Sequence, residues 1–238
     1  HPAYNHFELA SGNIFNCMLP SAILFDVDGT LIDTFRLYLE SYRRALEPHL
    51  GYAPDDAEIL SRNPSAERDF LLRWVGPEAG AHCHRAMIDH YGDLHAQLCE
   101  GMYDGVREML AGLRSAGLPV GVVTAKGRQA WNITSAAIDF GVLAAIVTED
   151  EMERPKPHPS GLIAAAEQLE MPAASIAYIG DSVGDMEAGR RAGMRVGAAL
   201  WPKTEAEIEA FLGSILEFEP DWIFRRPADV TRTMAPWC

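Results

Sequence analysis

The chain has 238 residues, 48% of them apolar and 23% charged, an ordinary globular balance that suits one large domain or a core carrying a smaller insert. Its formal net charge is −14, and the absence of any Lys/Arg block excludes a basic nucleic-acid stripe. An anionic partner must therefore be held by locally placed cations or a metal ion. No apolar run approaches the ~18–20 residues of a membrane span. Cys17, Cys83, Cys99 and Cys238 form no CxxC pair and read as reduced, cytoplasmic usage.

Residues 1–17, "HPAYNHFELASGNIFNC", have neither the basic start nor the apolar run of a signal peptide. Met18 is read as the natural start, with 1–17 a leader or extension. The first strand pattern, "AILF", runs straight into "DVDGTLIDT" (26–34). From Phe35 to Asp104 only helical patterns follow. Leu37/Tyr38, Ser41/Tyr42 and Ala45/Leu46 form a stripe at spacings of three and four, and "PEAGAHCHRAMIDHYGDLHAQLCEG" continues in kind. Strand and helix then alternate. "GVREMLAGLRSAG" precedes "LPVGVVT" (118–124). "GRQAWNITSAAIDFG" follows it, with Gly141 as the expected end of that helix. "AAIVTED" (144–150), "SIAYIGD" (175–181), "MRVGAAL" (194–200) and "DWIF" (221–224) supply the later strands.

Apolar strands that run continuously rather than alternating are buried on both faces, as in a parallel sheet covered by helices. The fold class is α/β, a doubly wound parallel-sheet (Rossmann-like) core. It spans 18–34 and 105–238, with an inserted all-helical cap at 35–104. A block inserted after the first strand covers the sheet's carboxyl edge, where α/β proteins bind ligands.

Residues two apart in a strand point to one side, so Asp26 and Asp28 converge where the strand ends and Gly29 permits a sharp turn. Paired carboxylates repel unless a cation shares them, and a hard divalent ion such as Mg²⁺ with oxygen ligands removes that cost. A second acidic pair, Asp181 and Asp185 in "IGDSVGD", closes another buried strand. Taken alone, that pair also fits a helix N-cap by Asp181 or Ser182 with Asp185 in the first turn. Thr124 ends "VVT" at the same edge, and Lys156 sits between prolines in "RPKPHP". The chain has only three lysines, Lys126, Lys156 and Lys203, among 20 basic residues, so a lysine in a rigid turn suggests a need for a compact ammonium. Nucleophile, acid/base, metal ligands and cationic clamp are the parts of phosphoryl transfer.

The stretches "DVDGTLIDT", "VVTAK", "RPKPHP" and "YIGDSVGDMEAGRRAGM" occur in the order found in the haloacid dehalogenase superfamily. The chain resembles its phosphatase branch with a helical cap from about residue 20 onward. The resemblance implies that Asp26 is the nucleophile and forms an aspartyl-phosphate. Asp28 would protonate the leaving alcohol and then deprotonate water. Mg²⁺ would be held by Asp26, the Asp28 backbone carbonyl and Asp181, with Asp185 near or in the second shell. Thr124 and Lys156 would bind the phosphoryl oxygens. Asp33 and Thr34 are expected to cap the first cap helix.

The family's dehalogenases lack a carboxylate two residues after the nucleophile, so Asp28 argues against carbon–halogen cleavage. Phosphonatases use a cap lysine, and residues 35–104 contain none. A Mg²⁺-dependent phosphatase of small phosphorylated metabolites (phosphoglycolate- or sugar-phosphate-like) and a sugar phosphomutase both remain. "DVDGTLIDT" and "VVTAK" favour the phosphatase, while a non-catalytic member would have lost a motif residue and this chain has lost none. Arg43, Arg44, Arg62, Arg68, Arg73 and Arg85 read as solvated helix-face residues. His82, Cys83, His84, His90, His95 and Cys99 read as ordinary helix residues rather than a zinc site, because adjacent ligands on a helix point apart. Monomer and homodimer both stay open.

Overall fold

The computed structural model describes residues 19–64 and 66–235. The expectations for residues 1–17 and for a start at Met18 lie outside them. The chain enters through β1 (Ala22–Phe25), every residue of which is buried. A tight turn leads to the short β2 (Ile32–Asp33). Four helices follow: α1 (Phe35–Leu50), α2 (Asp56–Ser61), α3 (Glu67–Val75) and α4 (Pro77–Leu98). The strand β3 (Gly101–Met102) then pairs antiparallel with β2, Ile32 opposite Met102. Its second strand, β3, lies inside the stretch expected to be purely helical. Two residues per strand are too few to carry a period-2 signal.

Strand and helix alternate from there: α5 (Val106–Ser115), β4 (Val120–Val123), α6 (Arg128–Ala137), β5 (Ala145–Val147), α7 (Ser160–Gln168) and β6 (Ile176–Gly180). The chain closes with α8 (Val183–Arg191), β7 (Arg195–Ala199), α9 (Glu205–Ile215), β8 (Trp222–Phe224) and α10 (Pro227–Met234). The six main strands pair in the order β5-β4-β1-β6-β7-β8, parallel throughout. The order reverses at β1, which lies between β4 and β6. That reversal opens a crevice at the carboxyl ends of these strands.

Alternation along β1 divides its side chains between two layers. Ile23 and Phe25 pack with Val106, Leu110 and Leu113 of α5 and with Val230 and Met234 of α10. Ala22 and Leu24 face the other way, onto Leu162 and Ala165 of α7 and Ala188 of α8. The sheet is thus covered on both faces, and the α/β doubly wound reading holds.

One expected boundary moves. The helix after β4 ends at Ala137 instead of reaching Gly141, because Ile138 turns extended (φ −121°, ψ 120°). This brings Phe140 against Trp131, ring centroids 5.2 Å apart. Core burial of an aromatic outweighs another turn of helix here.

The four helices between β2 and β3 share their own apolar cluster. Leu37, Tyr42 and Leu46 of α1 meet Phe70 and Leu71 of α3 and Cys83, Met87 and Tyr91 of α4. The predicted i, i+3/i+4 stripe on α1 is therefore its buried face. Ala130 and Ile133 of α6 join the same cluster, so these helices rest on the sheet-bearing core beside the carboxyl ends of β1 and β4.

Candidate active site

Asp26 is the first residue past β1. Its N–H still donates to Ile179 O at 2.9 Å, which fixes its backbone in the line of the sheet. Asp28 follows in the turn, where Gly29 adopts φ +82° and a Cβ would lie 3.0 Å from the Asp181 carboxylate oxygens. Only glycine takes that conformation freely while leaving room for the acid. Asp181 follows β6 directly. Ser182 is the N-cap of α8 and exchanges hydrogen bonds with Asp185, a reciprocal cap that fixes Asp185 at the third helical position. A Cβ on Gly180 would come within 2.4 Å of Asp185 Cγ, so glycine is again what lets backbone and carboxylate approach.

Carboxylate oxygens of Asp26, Asp181 and Asp185 lie within 4.8 Å of one another. Lys156 Nζ reaches into the group, 2.6 Å from Asp26 Oδ1 and 2.6 Å from Asp185 Oδ1. It also donates to Tyr178 OH at 3.0 Å, and Tyr178 OH donates to Asp185 Oδ1 at 2.8 Å. Thr124 Oγ1 sits at the end of β4, 3.4 Å from Asp28 Oδ2. All six residues singled out in the sequence meet at one sheet edge.

The electrostatics follow from burial. Asp26 is 6% exposed, and burial pushes its carboxyl well above the usual range; Lys156 opposes that, while Asp185 and Asp181 add to it. Asp185 would be raised by burial too, but the Lys156 charge and hydrogen bonds from Lys156, Ser182 and Tyr178 hold it below the ordinary value. Asp181 is pushed up to about 6, burial outweighing the nearby Lys203 ammonium. Burial would discharge Lys156, yet Asp185 and Asp26 keep it firmly protonated. An incompletely neutralised nest of carboxylate oxygens, with room preserved by glycines, fits a hard divalent cation.

The sequence reading overlooked Lys203, Lys126 and Tyr178. Lys203 Nζ is 2.9 Å from Asp181 Oδ2, and Thr30 Oγ1 donates to Asp181 Oδ1 at 3.1 Å. Lys126 Nζ is 3.0 Å from Asp28 Oδ1. Every lysine in the chain therefore pairs with a carboxylate of this cluster. The scarcity of lysine was visible in the sequence and pointed to all three, not to Lys156 alone.

The capping expectation for Asp33 and Thr34 divides. Asp33 Oδ1 accepts from Phe35 N at 3.1 Å, whereas Thr34, at the N-cap position of α1, makes no side-chain cap bond. Its hydroxyl donates to Asp28 Oδ1 at 2.5 Å instead. The arginines weighed earlier stay on outer helix faces. Arg43 pairs with Glu40 and Asp56, Arg44 with Glu40, and Arg62 with Glu58 over the Trp74 ring. Among the described residues, the acidic trio is the one group of three potential metal ligands; the His/Cys run on α4 forms none.

A parallel sheet with an aspartate pair and a lysine at its switch point defines a class of phosphoryl-transferring α/β enzymes, and comparison with known proteins agrees. The model of the haloacid dehalogenase-like hydrolase family matches residues 23–199, and the chain belongs to that family. It is an enzyme of the family's phosphatase branch. A pyrophosphatase, PpaX, of Bacillus velezensis is 27% identical over 88% of this chain and 94% of its own. A phosphoglycolate phosphatase of Xylella fastidiosa is 30% identical over 80% of this chain and 83% of its own. The crystal structure of a putative phosphoglycolate phosphatase from Lactobacillus plantarum superposes with a TM-score of 0.75. It is 23% identical and covers 91% of this chain and 100% of that one, a likeness of fold.

Proposed function

We propose that the protein is a Mg²⁺-dependent phosphatase of a small phosphate monoester, phosphoglycolate- or sugar-phosphate-like, working through an aspartyl-phosphate. The observation that carries this reading is the trio Asp26, Asp181 and Asp185 within 4.8 Å, with the Lys156 ammonium bridging Asp26 and Asp185. Relatives named as phosphatases of small phosphate compounds support it.

Asp26 attacks phosphorus as the bond from phosphorus to the leaving oxygen breaks. Asp28 gives that oxygen its proton, so the alcohol departs neutral. Asp28, now a carboxylate, takes a proton from water as the water oxygen attacks the phosphorus of the aspartyl-phosphate. The phosphorus–Asp26 bond then breaks, and inorganic phosphate leaves with both carboxyl groups restored. Thr124 and Lys156 hold the transferring oxygens, and the Lys156 charge opposes the burial that favours a neutral Asp26. Asp26, the Asp28 carbonyl and Asp181, with Asp185 near them, would hold a Mg²⁺, which would supply positive charge to offset the phosphoryl oxygens. The helices at 35–104 act as a cap that shields this chemistry from water.

The test is phosphate release from a panel of phosphate monoesters with Mg²⁺, run beside Asp26→Asn. Wild-type release with none from the variant is the expected outcome. Release by both sinks Asp26 as nucleophile, and release by neither, with sugar-phosphate isomerisation instead, makes the protein a mutase. EDTA should abolish turnover and Mg²⁺ restore it, with Ca²⁺, larger and more highly coordinated, a poor substitute. Full turnover without a divalent ion removes the metal from the reading.

A further inference from the structure

Lys126 lies two residues past Thr124, and its own N–H donates to Thr124 Oγ1 at 3.2 Å. The residue is 1% exposed. Lys126 Nζ donates to Tyr38 OH and to Tyr91 OH, each at 2.8 Å, and forms an ion pair with Asp28 Oδ1 at 3.0 Å. It also stands 4.4 and 4.7 Å from the two tyrosine ring centroids. Buried, and surrounded by these three partners, this lysine is closed off from a substrate oxygen. It acts through Asp28.

The acceptors come from both sides of the seam. Tyr38 belongs to α1 and Tyr91 to α4, while Asp28 and Lys126 belong to the sheet-bearing core. Tyr38 OH donates to Glu67 Oε1 of α3, and Tyr91 OH shares a hydrogen bond with Thr134 Oγ1 of α6 at 2.8 Å. A chain of hydrogen bonds, completed by the Lys126–Asp28 ion pair, thus runs from the helical block to the acid/base aspartate. At its end, Asp28 Oδ1 accepts from Thr34 at 2.5 Å and pairs with the Lys126 ammonium at 3.0 Å. Oδ2 has only the long contact with Thr124 at 3.4 Å. The two oxygens of one carboxyl are unequal. One is held, and the other is available.

We infer that Lys126 is a positioning residue that fixes Asp28 through Oδ1, so that Oδ2 exchanges the proton with the leaving oxygen. Tyr38 and Tyr91 make this arrangement conditional on the helices resting on the core. The inference rests on the reading of Asp28 as the acid. Its signature is selectivity for the leaving group. An alkyl phosphate departs as a strongly basic alkoxide and needs the proton, whereas p-nitrophenyl phosphate departs as a stable phenolate and needs little.

The experiment compares kcat/KM for an alkyl phosphate and for p-nitrophenyl phosphate in wild type, Lys126→Met and Asp28→Asn. Lys126→Met should lose ~10²-fold on the alkyl phosphate, within the range of general acid catalysis, and under ~10-fold on p-nitrophenyl phosphate. Equal losses on both, or no loss on either, overturn the inference by reducing Lys126 to a structural residue. Asp28→Asn separates the two readings. If it too shows no preference for the better leaving group, Asp28 is not the acid. If it shows that preference and Lys126→Met does not, the inference alone falls. Should Lys126→Met fail to fold, Tyr38→Phe removes one acceptor with little change of shape. It should shift the same ratio by ~3–10-fold, the worth of about one hydrogen bond; an unchanged ratio overturns the inference equally.

Discussion

Asp26 and Asp28 are two residues apart in the chain, yet they are supported from different regions of the molecule. Asp26 accepts from Lys156, whose other partners, Tyr178 on β6 and Asp185 in the first turn of α8, belong to the same sheet-bearing core. The partners of Asp28 include Thr34 at the start of α1 and Lys126, whose other two contacts are tyrosines of the helical block. On the proposed reading, the phosphoryl end of the site is thus set by the core, which every substrate would engage alike. The leaving-group end is tied to the helices that would cover it. Two carboxylates of identical chemistry acquire separate duties from what stands behind each.

Lys156→Met probes the core side, with the largest effect. It strands Asp26 and Asp185 without their shared cation, and breaking a buried ion pair in this way costs ~3–5 kcal/mol. Urea denaturation of the metal-free protein should show that loss, and alkyl and aryl phosphates should suffer in equal proportion. A leaving-group preference in this variant would erase the contrast with Lys126.

A smaller effect probes the seam itself. Glu149, in the turn after β5, has a carboxyl pushed up to about 7, by burial first and then by the Glu67 charge; Asp69 adds to it, while the Glu67 N–H and His84 pull the other way. Its Oε2 accepts from Glu67 N at 3.0 Å, across the junction between core and helices. The unfolded group titrates near 4.5. The folded protein therefore holds a proton that the unfolded chain has lost, and stability falls as pH rises from about 4.5 to about 7. Glu149→Gln should flatten that part of the Tm profile by ~2–4 °C, about 1 kcal/mol after allowance for solvent screening. An identical slope in the variant would show that Glu149 does not register the seam.

Much of this was legible in the chain. The strand ends announced themselves because a parallel sheet demands unbroken apolar runs, and "AILF" and "SIAYIG" are followed at once by carboxylates. Three features were not legible, for physical reasons. The β2–β3 ribbon is too short to carry a period. The end of α6 was decided by Phe140 finding Trp131 in three dimensions, not by the glycine a residue later. Lys126 looked ordinary because its partners lie 35, 88 and 98 positions away in sequence (Tyr91, Tyr38 and Asp28). Conversely, Thr34 reads locally as a helix cap and is taken by Asp28, a case of tertiary context overriding a local preference.

The convergence of Lys126, Lys156 and Lys203 on the carboxylates has a consequence for how the molecule can be cut. A protease that cleaves only after lysine finds three positions in 238 residues, and the ammonium it must grip is paired with an acid at each. Their side chains are 0%, 11% and 16% exposed. Digestion therefore waits on local opening of the region where the chemistry is housed. The rate of nicking becomes a clock for that opening, and the fragment that appears first names the lysine whose partner lets go most often.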